Sequence, residues 1–305
     1  RALPLALEQV LQKLTGLRQF DDYPLVAATL ERAPDIVLSY HYSKLAHTLS
    51  DGTETEELHL VARIADTEVD ELIRALQLPL WQPQRQPLLV WQIIDDGLGR
   101  RIMPVEFEYT RRAMTRVAEQ RGLPLQWPSP DAEGLFAVDE QILWGGYTED
   151  LVTPRGEGVL IAAARREGAS WGVRMNAGYQ GQHWTWRLDD VDLETALVDG
   201  MQQVVDQIAS AHSIAAADLG SWQQEITVAG LGGPADYLRC LNYLQSISVV
   251  EGVAVVSAQP GAVRFRLALT ALPVYLEEAL DAGSVLARTA PESDYTLVAV
   301  VDDEL

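Results

Sequence analysis

The chain has 305 residues, enough for about two average domains and for a sizeable buried core. Its apolar fraction of 48% and charged fraction of 22% are those of an ordinary globular protein, which excludes a disordered or fibrous chain. Its 44 acidic and 23 basic residues give a formal net charge of −21. Because nucleic acids are bound mainly by cations that neutralise their phosphates, we expect no nucleic-acid partner.

No apolar run in the sequence approaches the roughly 18 to 20 residues that span a bilayer, so we expect no membrane span. The chain begins at Arg1 inside a helical pattern of leucines, and we therefore expect that a further segment precedes it. Cys240 is the only cysteine, so no intrachain disulfide can form. Its apolar neighbours on a predicted helix favour a buried packing role over a nucleophilic one.

Hydrophobic periodicity and turn residues divide the chain into three predicted modules, 1–84, 85–220 and 221–305. The first module combines two helices, a strand pair and a short third helix. Apolar residues lie at even positions on both strands, which predicts that the even face packs on a core. His41 and His59 then share the other face, as candidate metal ligands or, together with Arg63, as a candidate partner-binding surface.

The second module predicts a mixed sheet covered by helices, because its elements alternate between strand and helix before three strands and a long helix. The apolar run 88–94 is typical of a central strand that is buried on both faces. The hairpin that follows 159–165 carries Trp171, Trp184 and Trp186 on one side. We expect these rings to pack against the long helix, and stacking on a sugar ring is their alternative role.

The third module predicts the β-α-β-β-α-β order of a ferredoxin-like sandwich, with one further strand over 296–301. The fold class expected for the chain is therefore α+β, with three small α/β modules whose sheets are mixed or antiparallel. Gly230–Ala235 matches the G-x-G-x-x-A dinucleotide fingerprint, but the next strand turns directly into a hairpin. We interpret these residues as a plain glycine loop and expect no cofactor.

Asp95 and Asp96 follow the buried strand 88–94, at the strand end where α/β sheets place their sites. Paired carboxylates there could hold a divalent metal ion or act as general acid and base. Adjacent residues of a strand point to opposite faces, so the two side chains converge only if the loop turns. An ordinary solvated turn beside Arg100 and Arg101 is the preferred interpretation.

Several segments together form a recognisable set of landmarks. They are the opening helix 6–16, Ile142-Leu143-Trp144-Gly145-Gly146, the strand 159–161, the hairpin with Trp171 and Trp186, Val228-Ala229-Gly230-Leu231, Asp236-Tyr237 and Tyr243-Leu244. This set resembles the proteobacterial domain-of-unknown-function family DUF2066. Members of that family usually carry a signal peptide, so the resemblance implies a periplasmic or cell-envelope location after its removal. The family has no assigned activity, and the resemblance therefore implies no catalytic residue.

These observations predict a non-catalytic accessory protein of the periplasm or cell envelope that binds other envelope proteins in assembly or scaffolding. The sequence contains no H-E-x-x-H zinc motif and no Walker loop. The alternative is a metal-dependent hydrolase, or a protein that binds a small ligand, centred on the loop with Asp95 and Asp96.

Overall fold

The computed structural model describes residues 2–48, 54–82, 85–128, 138–151, 153, 157–283, 285–289 and 294–298. Its mixture of helices with mixed and antiparallel sheets confirms the α+β class. Internal contacts divide the chain into two compact units. The first consists of Arg1–Trp81 and Arg85–Ser213, and the second of Gln82–Gln84 and Ile214–Leu305. The division into modules 1–84, 85–220 and 221–305 stays a prediction from the sequence.

The first unit carries most of the helices. They are α1 (Ala2–Thr15), α2 (Pro24–Glu31), α3 (Ala33–Ile36), α4 (Asp66–Ala75), α5 (Glu108–Arg121), α6 (Glu140–Gly145) and α7 (Leu193–His212). Its strands are β1 (Ser39–Thr48), β2 (Glu54–Arg63), β3 (Leu80–Trp81), β4 (Leu88–Asp95), β5 (Arg100–Ile102), β6 (Leu125–Gln126), β7 (Gly158–Glu167), β8 (Ser170–Tyr179) and β9 (Gln182–Asp190).

The central sheet of this unit has the strand order β5-β4-β7-β8-β9, and β6 also pairs with β4. β4 runs parallel to β7, whereas β7, β8 and β9 are successive antiparallel neighbours. β4 is buried along nearly its whole length, as its continuous apolar sequence predicts. β5 returns antiparallel along β4, with Asp95 opposite Arg100, so the residues between them form a hairpin connection.

Helices α5 and α7 cover one face of this sheet, which we call the helix face. Leu160 and Met175 of the sheet lie there in one core with Met201 and Val204 of α7, and all four are fully buried. Trp171, Trp184 and Trp186 are partly buried against the same core. This confirms the prediction that the three rings pack between the hairpin and the helix that follows it.

The opposite face, which we call the open face, is covered over β4 and β7 by α6. Trp91 and Ile93 of β4, Ile161 of β7 and Leu143 of α6 form a second, smaller core on this side. Farther along the sheet this cover ends, because Thr185 and Arg187 on β9 are exposed. The open face therefore changes from apolar to polar between β7 and β9.

β1 and β2 form an antiparallel ribbon that no third strand of the described residues joins. Tyr40, Tyr42 and Leu58 on its even face are 55%, 55% and 64% exposed. This finding corrects the prediction that the even face packs on a core along its length, although Leu60 and Ala62 of the same face are partly buried. The alternation of apolar residues distinguishes the two faces of a ribbon but does not determine what covers them.

The second unit contains a five-stranded sheet and two helices, and β10 (Ser213–Ile214) precedes it in the chain. Its elements are β11 (Leu219–Leu231), α8 (Pro234–Ser246), β12 (Val250–Gln259), β13 (Gly261–Ala271), α9 (Pro273–Ala282), β14 (Leu286–Arg288) and β15 (Asp294–Leu297). From β11 to β14 these confirm the predicted β-α-β-β-α-β order. The predicted further strand 296–301 is observed as β15, and residues 299–301 lie outside the described residues.

The strand order of this sheet is β12-β13-β11-β15-β14. The further strand β15 therefore does not lie at an edge of the sheet. β15 lies between β11 and β14, parallel to the first and antiparallel to the second. Cys240 of α8 is fully buried, and burial raises the pKa of its thiol to about 11, which confirms its packing role. Within the described ranges, no helix combines the length and the apolar character needed to cross a membrane.

Candidate functional site

The segment Trp144–Thr148 lies against the open face of the central sheet, just after α6. The cap residue Asp139 starts this helix, since its carboxylate accepts a hydrogen bond of 2.7 Å from the Gln141 amide. Gly146 ends the helix with a φ of 79°, a left-handed conformation that favours glycine. A Cβ atom at this position would also clash with the side chain of Asn176, so glycine permits the close approach to β8.

Three side chains of β8 and β9 hold this segment in place. The Arg174 guanidinium donates a hydrogen bond to the carbonyl oxygen of Trp144 at the end of α6. Asn176 lies against Gly146 and donates a hydrogen bond of 2.8 Å to Thr185 Oγ1. His183 Nδ1 lies 3.2 Å from the hydroxyl oxygen of Thr148.

Two polar depressions lie beside the held segment, over the open face of these two strands, and together we call them the β8–β9 cleft. One end has a volume of about 470 Å³ and contains Gly146, Thr148, Glu149, Asn176, His183 and Thr185. The other end has a volume of about 270 Å³ and contains Trp144, Arg165, Glu167, Arg174, Arg187 and Asp189. Each end is thus large enough for a side chain of a ligand, and most of the lining is polar.

Arginines are concentrated at the smaller end of the cleft, although the whole chain is strongly acidic. The Cζ atoms of Arg100 and Arg165 lie 4.4 and 5.0 Å from the ring centroid of Trp144. Arg174 and Arg187 are direct cross-strand partners in the register of β8 and β9. Burial lowers the pKa of Arg174, and the charge of Arg187 lowers it further.

Asp95 ends β4 and Asp96 begins the connection to β5, and each carboxylate interacts with a different arginine. Asp95 Oδ1 accepts a hydrogen bond from the Gly97 amide, and its Oδ2 lies 3.7 Å from Arg165 Nε. Asp96 accepts a hydrogen bond from the Leu98 amide and forms a 2.7 Å ion pair with Arg101. In the described part of the chain, no three His, Cys, Asp or Glu side chains are grouped closely enough to hold a metal ion. The solvated turn at Asp95 and Asp96 and its alternative, a metal site, both stay predictions.

The candidate residues of the β1–β2 ribbon share one face. The register pairs His41 with Val61 and Ser43 with His59, and Arg63 follows two positions after Val61 on the same side. His41 and Arg63 are exposed, and the side chain of His59 lies outside the described residues. Their role in metal or partner binding stays a prediction.

Two sequence motifs lie in contexts that do not fit their usual chemistry. Gly168-Ala169-Ser170-Trp171-Gly172 matches G-x-S-x-G, but it forms the β7–β8 hairpin turn rather than a strand–turn–helix elbow. Ser170 Oγ donates its hydrogen bond to the Glu167 carbonyl oxygen at 3.2 Å. At the start of α8, Asp236 accepts a hydrogen bond from the Gly232 amide, where a dinucleotide phosphate would bind. Both contexts agree with structural roles.

Arg174 and Arg187 were not among the sequence-predicted site residues, although a local signal for them exists. Gln180 and Gly181 have φ values of 46° and 78°, the left-handed pair of a tight two-residue hairpin turn. Such a turn pairs Tyr179 with Gln182, and counting back along both strands pairs Arg174 with Arg187. The turn therefore predicts the pair, whereas its closeness to Trp144 depends on tertiary structure.

Comparison with known proteins adds a family match for part of the chain. A family model described as "Domain of unknown function (DUF8605)" matches residues 1–82. No curated protein matches the chain. The resemblance to DUF2066 stays a prediction.

Solved structures also show distant similarity, among them the following two. The Thermus thermophilus Protein Y N-terminal domain is 12% identical, with 42% of this chain and 99% of that domain covered, at a TM-score of 0.24. A protein described as uncharacterized is 11% identical, with coverages of 43% and 95% and a TM-score of 0.20. Similarity at these TM-scores supports no conclusion about function.

Proposed function

We propose that the chain is a non-catalytic binding protein that holds an extended segment of a partner protein along β9 and the β8–β9 cleft. The observation that carries this proposal is the position of β9 at the edge of the central sheet. No strand of the described residues pairs with its outer side. Backbone donors and acceptors on such an edge can pair with an added strand, and this is a general mode of peptide recognition.

The side chains beside this edge support the same function. His183, Thr185 and Arg187 are exposed and alternate along β9 on the open face. An added strand would present every second side chain to the same face, so its residues would lie next to these three. Backbone pairing would then supply affinity, and the polar cleft would select the partner.

We place this function in the periplasm or cell envelope, with envelope proteins as partners and assembly or scaffolding as the role. Support comes from the resemblance of several segments, Trp144-Gly145-Gly146 among them, to DUF2066. The net charge of −21 supports a protein partner over a nucleic acid. Cell fractionation tests the location, which is wrong if the chain is recovered with the cytosol.

Site-specific photocrosslinking tests the binding function. p-Benzoylphenylalanine replaces Thr185 in the cleft in one variant and Gln207, exposed on α7, in a control variant. We expect whole cells to give a defined crosslinked protein from position 185 and not from position 207. The purified partner should then bind the purified chain, and it should be displaced by the peptide that carries the crosslink.

The same pattern of crosslinks from both positions would overturn the proposal, because the contact would then not depend on the cleft. Absence of a crosslink from position 185 in cells that carry the folded variant would also overturn it. Circular dichroism of each purified variant establishes that it is folded.

A further inference from the structure

Arg174 and Arg187 form a like-charged pair on the floor of the β8–β9 cleft. They are direct cross-strand partners in an antiparallel register, and both lie on the open face. Like charges directly opposite each other destabilise a sheet. Among the described residues, no carboxylate lies within 4.0 Å of either guanidinium to compensate the pair. The pair therefore costs stability in the free protein.

The hydrogen bonds of Arg174 orient this pair toward the cleft. Its Nε donates to Asn176 Oδ1 at 3.1 Å, and its Nη2 donates to the carbonyl oxygen of Trp144. The guanidinium is thus held against the wall of the cleft. Its Nη1 and the whole guanidinium of Arg187 have no acceptor among the described residues. Two guanidinium groups with free donors match the two oxygens of a carboxylate.

Two acidic residues restrict the charge of an anion that could bind here. Glu167 and Asp189 line the same end of the cleft. Their carboxylate oxygens each lie 3.4 Å from the position that a Cβ atom on Gly172 would occupy. They would repel the second negative charge of a phosphate, whereas a carboxylate carries a single charge and the volume of about 270 Å³ accommodates one side chain.

We propose that Arg174 and Arg187 bind a glutamate or aspartate side chain of the extended partner segment. This inference rests on the proposed function, since the segment that lies along β9 presents the carboxylate. The anion removes the cost of the like-charged pair on binding. The cleft therefore selects an acidic residue at one position of the partner, even though the chain as a whole is acidic.

Labelled peptides of defined charge test this inference. The probes are fluorescein-labelled, acetylated octapeptides of alternating threonine with glutamate or of alternating threonine with glutamine. Fluorescence anisotropy measures their binding to the full chain and to two variants. Arg187→Gln removes one cation of the pair. Arg166→Gln is the matched control, because it removes the same charge from the exposed helix-face side of β7.

We expect the glutamate peptide to bind at least about tenfold more tightly than the glutamine peptide, the effect of one charge-assisted pair. Arg187→Gln should remove this difference, and Arg166→Gln should preserve it. Inorganic phosphate should compete less well than acetate.

The inference is wrong if the two peptides bind equally, if both variants weaken binding alike, or if neither peptide binds at about 1 mM. Phosphate competing better than acetate would also overturn it in favour of a phosphate site. The proposed function is judged separately by the crosslinks from position 185. A position-specific crosslink to a partner that lacks an acidic residue there would retain the function and reject the carboxylate.

Discussion

Arg121, at the end of α5, donates a hydrogen bond of 2.9 Å to the carbonyl oxygen of Gly16, at the end of α1, 105 residues earlier in the chain. Its side chain is only 3% exposed and also pairs with Asp206 of α7. Arg85 donates 2.6 Å hydrogen bonds to the carbonyl oxygens of Lys13 and Gly122, at the same two helix ends. Two cations thus satisfy terminal carbonyls at the negative ends of two helix dipoles.

Replacing Arg121 by methionine should lower the free energy of unfolding by about 2 to 4 kcal/mol, because the Gly16 carbonyl would lose its buried donor. Urea denaturation followed by tryptophan fluorescence measures the change. Arg116→Met is the control, since Arg116 is exposed on the same helix, and it should change stability by less than about 0.5 kcal/mol. Equal losses in the two variants would contradict the structural role of Arg121.

Gly16→Ala should lower the free energy of unfolding by about 2 to 4 kcal/mol for two reasons. Gly16 has a φ of 68°, and an added Cβ atom would overlap Ala209 and lie 2.6 Å from Trp81 Cε3. Gly168→Ala separates the two effects, because Gly168 has a φ of 66° but no heavy atom within 4 Å of the added Cβ. This control should lose only about 1 to 2 kcal/mol from backbone strain. A Gly168 loss as large as the Gly16 loss would reject the packing argument.

Ionisation of the buried Tyr179 should lower the free energy of unfolding at alkaline pH. Burial raises the pKa of its phenol to about 12, above the ordinary value of 10.0, and the hydroxyl donates a hydrogen bond to the Gln86 carbonyl oxygen. Because the pKa is higher in the folded state, the contribution of the protonated Tyr179 phenol to the free energy of unfolding is complete below pH 10. It is lost as the pH rises toward 12. Relative to Tyr179→Phe, the wild-type chain should lose about 2 to 3 kcal/mol of stability over that interval. A constant difference between the two proteins across this pH range would show that the phenol titrates normally.

Arg187→Gln should raise the stability of the free protein, because it removes one charge of the cross-strand pair with Arg174. The expected gain is about 0.5 kcal/mol, measured as an increase in Tm. The gain should shrink near 1 M salt, where the screening length falls to about 3 Å. Arg166→Gln should give no gain, since Arg166 lies over the Trp171 ring, with Cζ 5.9 Å from its centroid. A lower Tm for Arg187→Gln would mean that Arg187 has a stabilising role.

Divalent metal ions should leave the Tm unchanged, because Asp95 and Asp96 are engaged by different arginines. Thermal unfolding in about 1 mM Mg²⁺, Ca²⁺, Mn²⁺ or Zn²⁺ measures this. A site with a Kd of about 10 µM would add about 2.7 kcal/mol under these conditions. A rise in Tm that Asp95→Asn and Asp96→Asn both abolish would support the hydrolase alternative instead.

The sequence by itself determined most of the helices and strands of this protein. Leu7 and Leu11 repeat at helical spacing and are fully buried on α1. Trp184 and Trp186 alternate on β9 and share the helix face. These features could be predicted because hydrophobic period and turn chemistry act between residues that are close in the chain.

Tertiary structure decided the features that join distant parts of the chain. β15 lies between β11 and β14 in the sheet, and Tyr40, Tyr42 and Leu58 on the even face of the β1–β2 ribbon are exposed. Trp144 meets Arg174 across an interval of 30 residues, which forms the wall of the candidate site. No local sequence pattern predicts contacts between such distant residues. Which strands pair, and which elements cover each face of a sheet, depend on the total free energy of packing many separate elements.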